Sequence, residues 1–468
     1  MKNTIKSVAR GVSSISIKPI KSIAGSISSA SSSSIKSISR VLPSVSNPFV
    51  SKKRGLKGVL VILDGLGDLG NVQLDNKTPL EDARTPNMDF FAARGELGYM
   101  YPVKPGFVPE SDEAIVSIFG NDLINSTRGQ LEARGTNVKL ARGDMALRVN
   151  FASIDSWSSG KILDRRAGRT LKTSDAEILA KELNKIKMSC KFEFVPTIQH
   201  RGVLVFRGGF SDNIVGNDLT YYHGKTLDMF NARQAKSLDE EEDSIYSANI
   251  VNEFLKKSHE VLDKHPINIE RKKQGLMPAN YLLVRGAGIE VPKLKKYRNW
   301  MSISYMPLEK GIANVMGMQN FSFNYPVLRT LDAYENLWRS LRKACKYSIK
   351  FLKQNKNKFE YAYVHIHETD IPGHDNKPFE KKLMLEYIDI TLFKFLRKFA
   401  PPNKIKVVVT GANSTPCKLK NHSSGPVPVL LYNNSIPKEK HFCEKEARKG
   451  TLGRIFGKDL LRVVGFVR

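Results

Sequence analysis

Two aspartates and two histidines in this chain have the donor chemistry of a divalent-cation site. Asp370 and His374 stand in TDIPGHD, where the D-I-P-G-H spacing puts both in one tight loop. Asp64 follows the apolar run VLVIL, and His422 lies in KNHSSGPVPV. Carboxylate oxygens and imidazole nitrogens suit Mn, Mg or Zn. Each residue alone has a plainer reading, because an Asp after a strand often caps a helix and a lone His usually forms an ordinary hydrogen bond. The cation reading therefore depends on whether the fold brings the four together.

Three short β-branched runs would do so. VLVIL ends at Asp64, YAYVHIHET ends at Asp370, and IKVVV ends at Thr410, followed by Gly411, Ala412 and Asn413. Such runs read as buried strands, and in open α/β sheets ligands bind beyond the carboxyl ends of the strands. Helical patterns alternate with them in TPNMDFFAARGELG, SDEAIVSIFG, the stretch from Ala333 to Leu352, and EKKLMLEYIDITLFKFLRKF. This alternation predicts an α/β fold with a mainly parallel sheet flanked by helices. Residues 150–295 differ in character, with strands VLVF and NYLLV, a charged helix near 174–188 and the acidic run Asp239 to Asp243. They read as an inserted smaller α+β domain that interrupts a core of residues 55–149 and 296–468.

A series of longer segments follows in one order: VLVILDGLGD, KTPLEDARTPNMD, PGFVPESDEA, RGDMALRVNFA, ILDRRAGR, ANYLLVRGAG, PLEKGIANVMGM, VHIHETDIPGHD, STPC, NHSSGPVPVLLY and GTLGRIFGKDLL. In these the chain resembles the archaeal-type 2,3-bisphosphoglycerate-independent phosphoglycerate mutases, a branch of the alkaline phosphatase superfamily. The resemblance implies an alkaline-phosphatase-like core and conversion of 3-phosphoglycerate to 2-phosphoglycerate through a phosphoserine at Ser111. It implies two divalent metals, Mn or Mg. One would be held by Asp64 and Ser111 with the Asp and His of the family's TGDHSTPC, the other by Asp370, His374 and His422. It also implies that arginines of the insertion grip the substrate, here Arg165, Arg166 and Arg169 beside Asp164, with Arg148 and Arg285. Physical chemistry supports these roles. Metal coordination activates a serine hydroxyl, a helix start favours a bound phosphoryl group, and forked guanidiniums match phosphate and carboxylate.

The sequence departs from the pattern at TGANSTPC. Ala412 stands in place of the Asp and Asn413 in place of the His. Alanine has no donor atom, and an amide oxygen is a neutral, weaker ligand. FNYPVLRTL likewise lacks the glycines of the corresponding family segment. The metal at Asp64 and Ser111 is thus expected to be weak or absent, leaving one ion or none. Losing several kcal/mol of Lewis-acid stabilisation would slow turnover by on the order of 10³. The expected function is a phosphoglycerate mutase-like activity, weakened or lost. One alternative is an inactive descendant serving as a binding or structural protein in an organellar, RNA-containing assembly such as a mitochondrial ribosome. Another is a one-metal phosphatase or phosphodiesterase.

Charge bears on partners. Lys plus Arg outnumber Asp plus Glu by 74 to 46, a net charge of +28. Residues 1–54 hold ten of the bases and no acid, so the remaining chain carries 64 − 46 = +18. Phosphorylated small acids, RNA or anionic lipid are the matching partners. The Ser-rich, acid-free segment 1–54 has the composition of a transit peptide and predicts a mitochondrial location, with a plastid-type organelle or the cytoplasm as alternatives; a permanent basic arm on RNA is the rival reading. The four cysteines form no CxxC pair and read as reduced thiols. No apolar run reaches the roughly 18 residues of a transmembrane segment.

Overall fold

In the strand Gly58–Leu63, Val59, Val61 and Leu63 face one hydrophobic core while Leu60 and Ile62 face another. A strand buried on both sides needs a near-continuous apolar run, which is what VLVIL supplies. The computed structural model describes residues 55–123, 127–218 and 231–467, with the backbone of two short strands at 221–222 and 225–226. Gly58–Leu63 lies between Tyr361–Ile366 and Lys406–Thr410 and is parallel to both. The two other strands predicted to carry site residues are therefore its immediate neighbours.

The full sheet has eight strands, in the order Gln319–Phe321, Trp300–Ile303, Tyr361–Ile366, Gly58–Leu63, Lys406–Thr410, Val427–Tyr432, Gly95–Tyr101 and Gly453–Phe456. Val427–Tyr432 alone runs against its neighbours. Helices cover both faces. Ala333–Asn355 and Pro378–Ile388 pack on the side of Val59 and Val61, and Ser111–Ile118 and Pro307–Val315 on the side of Leu60 and Ile62. The predicted helix 380–399 is continuous but contains a π-turn at Asp389–Phe393. There the Asp389 carboxylate accepts hydrogen bonds from the amides of Asn87 and Met88 at the start of Pro86–Ala93.

A second, antiparallel sheet runs Tyr281–Gly288, Met145–Ile154, Arg201–Phe206 and Phe192–Pro196, with Ile162–Asp164 paired to Met145–Ile154. Thr173–Leu183 and Glu242–Asp263 bury their apolar faces against it. Its first strand begins at Met145, and the described residues of both sheets form one compact unit. The segment read as a transit peptide lies outside the described residues. Among those described, no helix is long and apolar enough to cross a membrane.

Candidate active site beyond the central strands

Asp64 and Asp370 are brought together by backbone contacts before any side chain is considered. The Asp64 amide donates to the Ile366 carbonyl at 2.9 Å, and the Thr369 hydroxyl donates to the Asp64 carbonyl at 2.6 Å. Gly65 follows with φ +67°, and a Cβ there would stand 2.7 Å from Asp370 Cα. Only glycine tolerates both the left-handed backbone and that approach.

Around these two carboxylates lie two groups of donors. In the first, Asp370 Oδ2 is 3.2 Å from His374 Nε2 and Asp370 Oδ1 is 3.5 Å from His422 Nε2. Both imidazoles donate through Nδ1 to backbone carbonyls, His374 to Lys420 at 3.2 Å and His422 to Pro109 at 2.8 Å. When neutral, each ring therefore presents its Nε2 lone pair towards Asp370, the tautomer a metal-binding histidine needs. Burial pushes the Asp370 carboxyl up, but the adjacent His374 and His422 hold it well below the usual range. His374 is driven down by burial, against the pull of Asp370, whereas at His422 the hydrogen bond to Asp370 overcomes burial and raises it.

The second group is Asp64, His365 and His367. Asp64 Oδ2 is 3.0 Å from His367 Nδ1 and 3.6 Å from His365 Nε2. Burial raises the Asp64 carboxyl, but the facing imidazoles of His365 and His367 bring it down to about 2. Donors on a tetrahedral cation with bonds of about 2.1 Å stand about 3.4 Å apart, so both groups have the spacing of a cation cage. The residues fit a divalent ion in each.

Ala412 and Asn413 are fully buried between the groups. The Asn413 side-chain oxygen accepts from the Gly65 amide at 3.0 Å and from the Thr415 hydroxyl at 3.2 Å, and its amide nitrogen faces His422 Nε2 at 3.3 Å. The oxygen expected to be a weak ligand is thus already occupied in holding the Gly65 turn.

A cleft of about 670 Å³ opens over this region. Ser111, first residue of its helix, lines it together with His367, Asp370, His374 and His422. So do all the predicted arginines, Arg148, Arg165, Arg166, Arg169 and Arg285, and two that sequence reasoning missed, Arg128 and Arg201. Most are already engaged. Arg128 pairs with Asp112 at 2.8 Å and Glu132 at 3.0 Å, Arg148 with Glu132 at 2.9 Å, and Arg285 with Glu110 at 3.0 Å. Arg165 pairs with Asp218 and Arg169 with Asp375. Asp164 accepts from the amides of Arg166 and Gly168 at 2.7 and 2.8 Å, so it shapes the turn that presents the arginines. That turn runs left-handed through Ala167, Gly168 and Arg169.

Arg166 and Arg201 differ. Among the described residues no carboxylate lies within ion-pair distance of either. Burial, then the neighbouring Arg169 and Arg201, lower Arg166 to about 9, and burial lowers Arg201. Half-buried cations that repel one another call for an anion between them.

Comparison with known proteins gives the family. The family model described as 2,3-bisphosphoglycerate-independent phosphoglycerate mutase matches residues 92–268. A protein of that name from Thermococcus kodakarensis is 38% identical over 424 residues, covering 88% of this chain and 97% of its own. The chain belongs to the 2,3-bisphosphoglycerate-independent phosphoglycerate mutase family. The Pyrococcus furiosus member is also 38% identical, over 419 residues, 87% of this chain and 96% of its own. Among solved structures, a Pyrococcus horikoshii protein superposes with a TM-score of 0.67 at 30% identity, over 89% of this chain and 99% of that one. The cofactor-independent phosphoglycerate mutase of Thermoplasma acidophilum gives 0.50 at 25%, over 87% and 98%. The fold is α/β, a mainly parallel sheet flanked by helices, as expected for the family.

Proposed function

We propose that the cleft transfers the phosphoryl group of a small phosphorylated acid, phosphoglycerate foremost, through Ser111. The observation that carries this reading is the pair Arg166 and Arg201, two guanidiniums that have no carboxylate partner among the described residues, in the same cleft as a helix-start serine. In the first half-reaction the P–O3 bond of 3-phosphoglycerate breaks as P–Oγ forms, and the serine proton passes to the departing O3. In the second, O2 of the same glycerate attacks, and Ser111 recovers its proton. Arg166 and Arg201 hold the anion, and the second sheet, which carries Arg148, Arg201 and Arg285 and leads through Ile162–Asp164 into the turn of Arg166, acts as an inserted clamp over the core. A divalent cation at Asp370, His374 and His422, with Mn or Mg as candidates, would polarise phosphoryl oxygens. Because the loop after Lys406–Thr410 offers no ligand at Ala412 or Asn413, turnover should fall below that of relatives with both.

Phosphorus NMR of the Mn-loaded protein with 3-phosphoglycerate is the test. Slow interconversion with 2-phosphoglycerate, abolished by Ser111→Ala, is expected. Binding that depends on Arg166, without any interconversion, would overturn catalysis and leave a binding descendant. A second reading, an inactive polyanion-binding protein, is favoured by the long helix Ala333–Asn355, whose outer side carries Arg342, Lys346, Lys350 and Lys353, all exposed. Retention of RNA at low salt by a protein without turnover would favour it.

A further inference from the structure

We propose that Asp64, His365 and His367 hold a second divalent cation, of the nitrogen-preferring class represented by Zn²⁺ and Co²⁺. The inference rests on the phosphoryl-transfer reading above. It supplies that site with ligands from the end of Tyr361–Ile366 rather than from the loop after Lys406–Thr410.

The first support is the unmet valence of the group. Asp64 Oδ1, His365 Nε2, His367 Nε2 and the nearby Glu309 Oε2 are buried without a hydrogen-bond partner. Stranding several polar atoms in one place is costly unless something satisfies them. A second support is charge. Asp64 and Glu309 are buried, with relative exposures of 0% and 2%, yet among the described residues neither has a Lys or Arg within ion-pair distance; both face His365, at 3.6 and 3.8 Å. Asp68 shows what a structural buried acid looks like here, since it pairs with the fully buried Lys381 at 2.7 Å. Third, His365 has an outer partner, the Tyr363 hydroxyl at 2.7 Å from Nδ1, which orients Nε2 towards Asp64. Two imidazoles and one carboxylate select late divalent metals over Mg²⁺.

The test is Co²⁺ titration of the chelator-treated full chain, read by the visible spectrum and by metal content. Two ions per chain are expected. Asp370→Asn should keep one, and His367→Gln, a change at the cleft wall rather than in the core, should weaken that ion by at least the roughly 10- to 100-fold that loss of an outer partner costs. Millimolar Mg²⁺ should not displace it. Anomalous scattering from the unaltered protein at the Zn edge should place density among Asp64, His365 and His367, which needs no variant to fold. A single ion that vanishes in Asp370→Asn, or undiminished binding in His367→Gln, would overturn the proposal. Turnover is scored separately. Two ions without mutase activity sink the functional reading alone, and activity with one ion sinks this site alone.

Discussion

Arg166 and Asp64 illustrate opposite uses of burial. At Arg166 a half-buried cation has no carboxylate partner among the described residues, and substrate can supply an anion. A hydrogen bond to a charged group contributes about 1.5–3 kcal/mol, and 1.4 kcal/mol is about tenfold in affinity. Arg166→Ala should therefore raise the KM for 3-phosphoglycerate by about 10- to 100-fold and leave the melting temperature almost unchanged, because no ion pair is lost. At Asp64 the buried anion is held by His365 and His367, which bring it to about 2 despite burial. A carboxyl depressed on folding contributes stability above its unfolded value near 3.8, and that contribution is lost as the pH falls towards 2. In metal-free protein this amounts to about 2 kcal/mol. Urea midpoints measured between pH 5 and pH 3 should fall more steeply for the wild type than for Asp64→Asn. Parallel slopes would show that the two histidines do not hold the charge.

At the level of elements, the site depends on three strand ends meeting. The β-branched runs and the polar residues after them were enough to place Asp64, Asp370 and His374 together, since buried parallel strands carry an unmistakable apolar signature. Strand order was not legible, and neither was the reversal of Val427–Tyr432, because both arise from how crossovers pack and not from local periodicity. His365 and His367 did leave a signal. An H-x-H repeat at a strand end places both side chains on one face, but VHIHE was read only as a strand. Arg201 left none, since its place in the cleft follows from docking the second sheet. The occupied oxygen of Asn413 was equally hidden, because its partner, the Gly65 amide, is 348 positions away in sequence. Gly65 is where this convergence can be tested. A Cβ would meet both Asp370 Cα and Asp370 Oδ1 at 2.7 Å, and a left-handed backbone costs a non-glycine residue about 1–2 kcal/mol. Gly65→Ala should lower the melting temperature and shift Asp370, weakening cation binding at His374 and His422 more than the stability loss alone explains. Normal metal affinity in a destabilised Gly65→Ala protein would mean that the loops can part without harm to the ligands.

For the whole molecule, the question is what the basic surplus does beyond binding substrate. Part of it lines the cleft, but a separate share lies on Ala333–Asn355 and just past its end. From Asn336 to Phe359 the chain has Arg339, Arg342, Lys343, Lys346, Lys350, Lys353, Lys356 and Lys358 and no acid. Only the first residues of that helix, Ala333 and Tyr334, reach the cleft. None of these bases is within ion-pair distance of a carboxylate among the described residues, and Lys350 lies over Tyr347 and Phe351 at 5.6 and 5.9 Å. Charge with interleaved rings suits a polyanion backbone, whereas a small substrate acid has no reason to select it. Exchange of Arg342, Lys346, Lys350 and Lys353 for Gln should leave turnover intact. In the same protein the dependence of RNA affinity on salt should become shallower, by about 0.7–0.9 in the logarithmic slope for each phosphate that is no longer neutralised. An unchanged slope would assign the surplus to solubility or to the segment 1–54, whose proposed role in mitochondrial targeting a fluorescent fusion of that segment would check. A lower turnover would instead tie this helix to the cleft through Tyr334, whose hydroxyl donates to Asp375 at 2.8 Å.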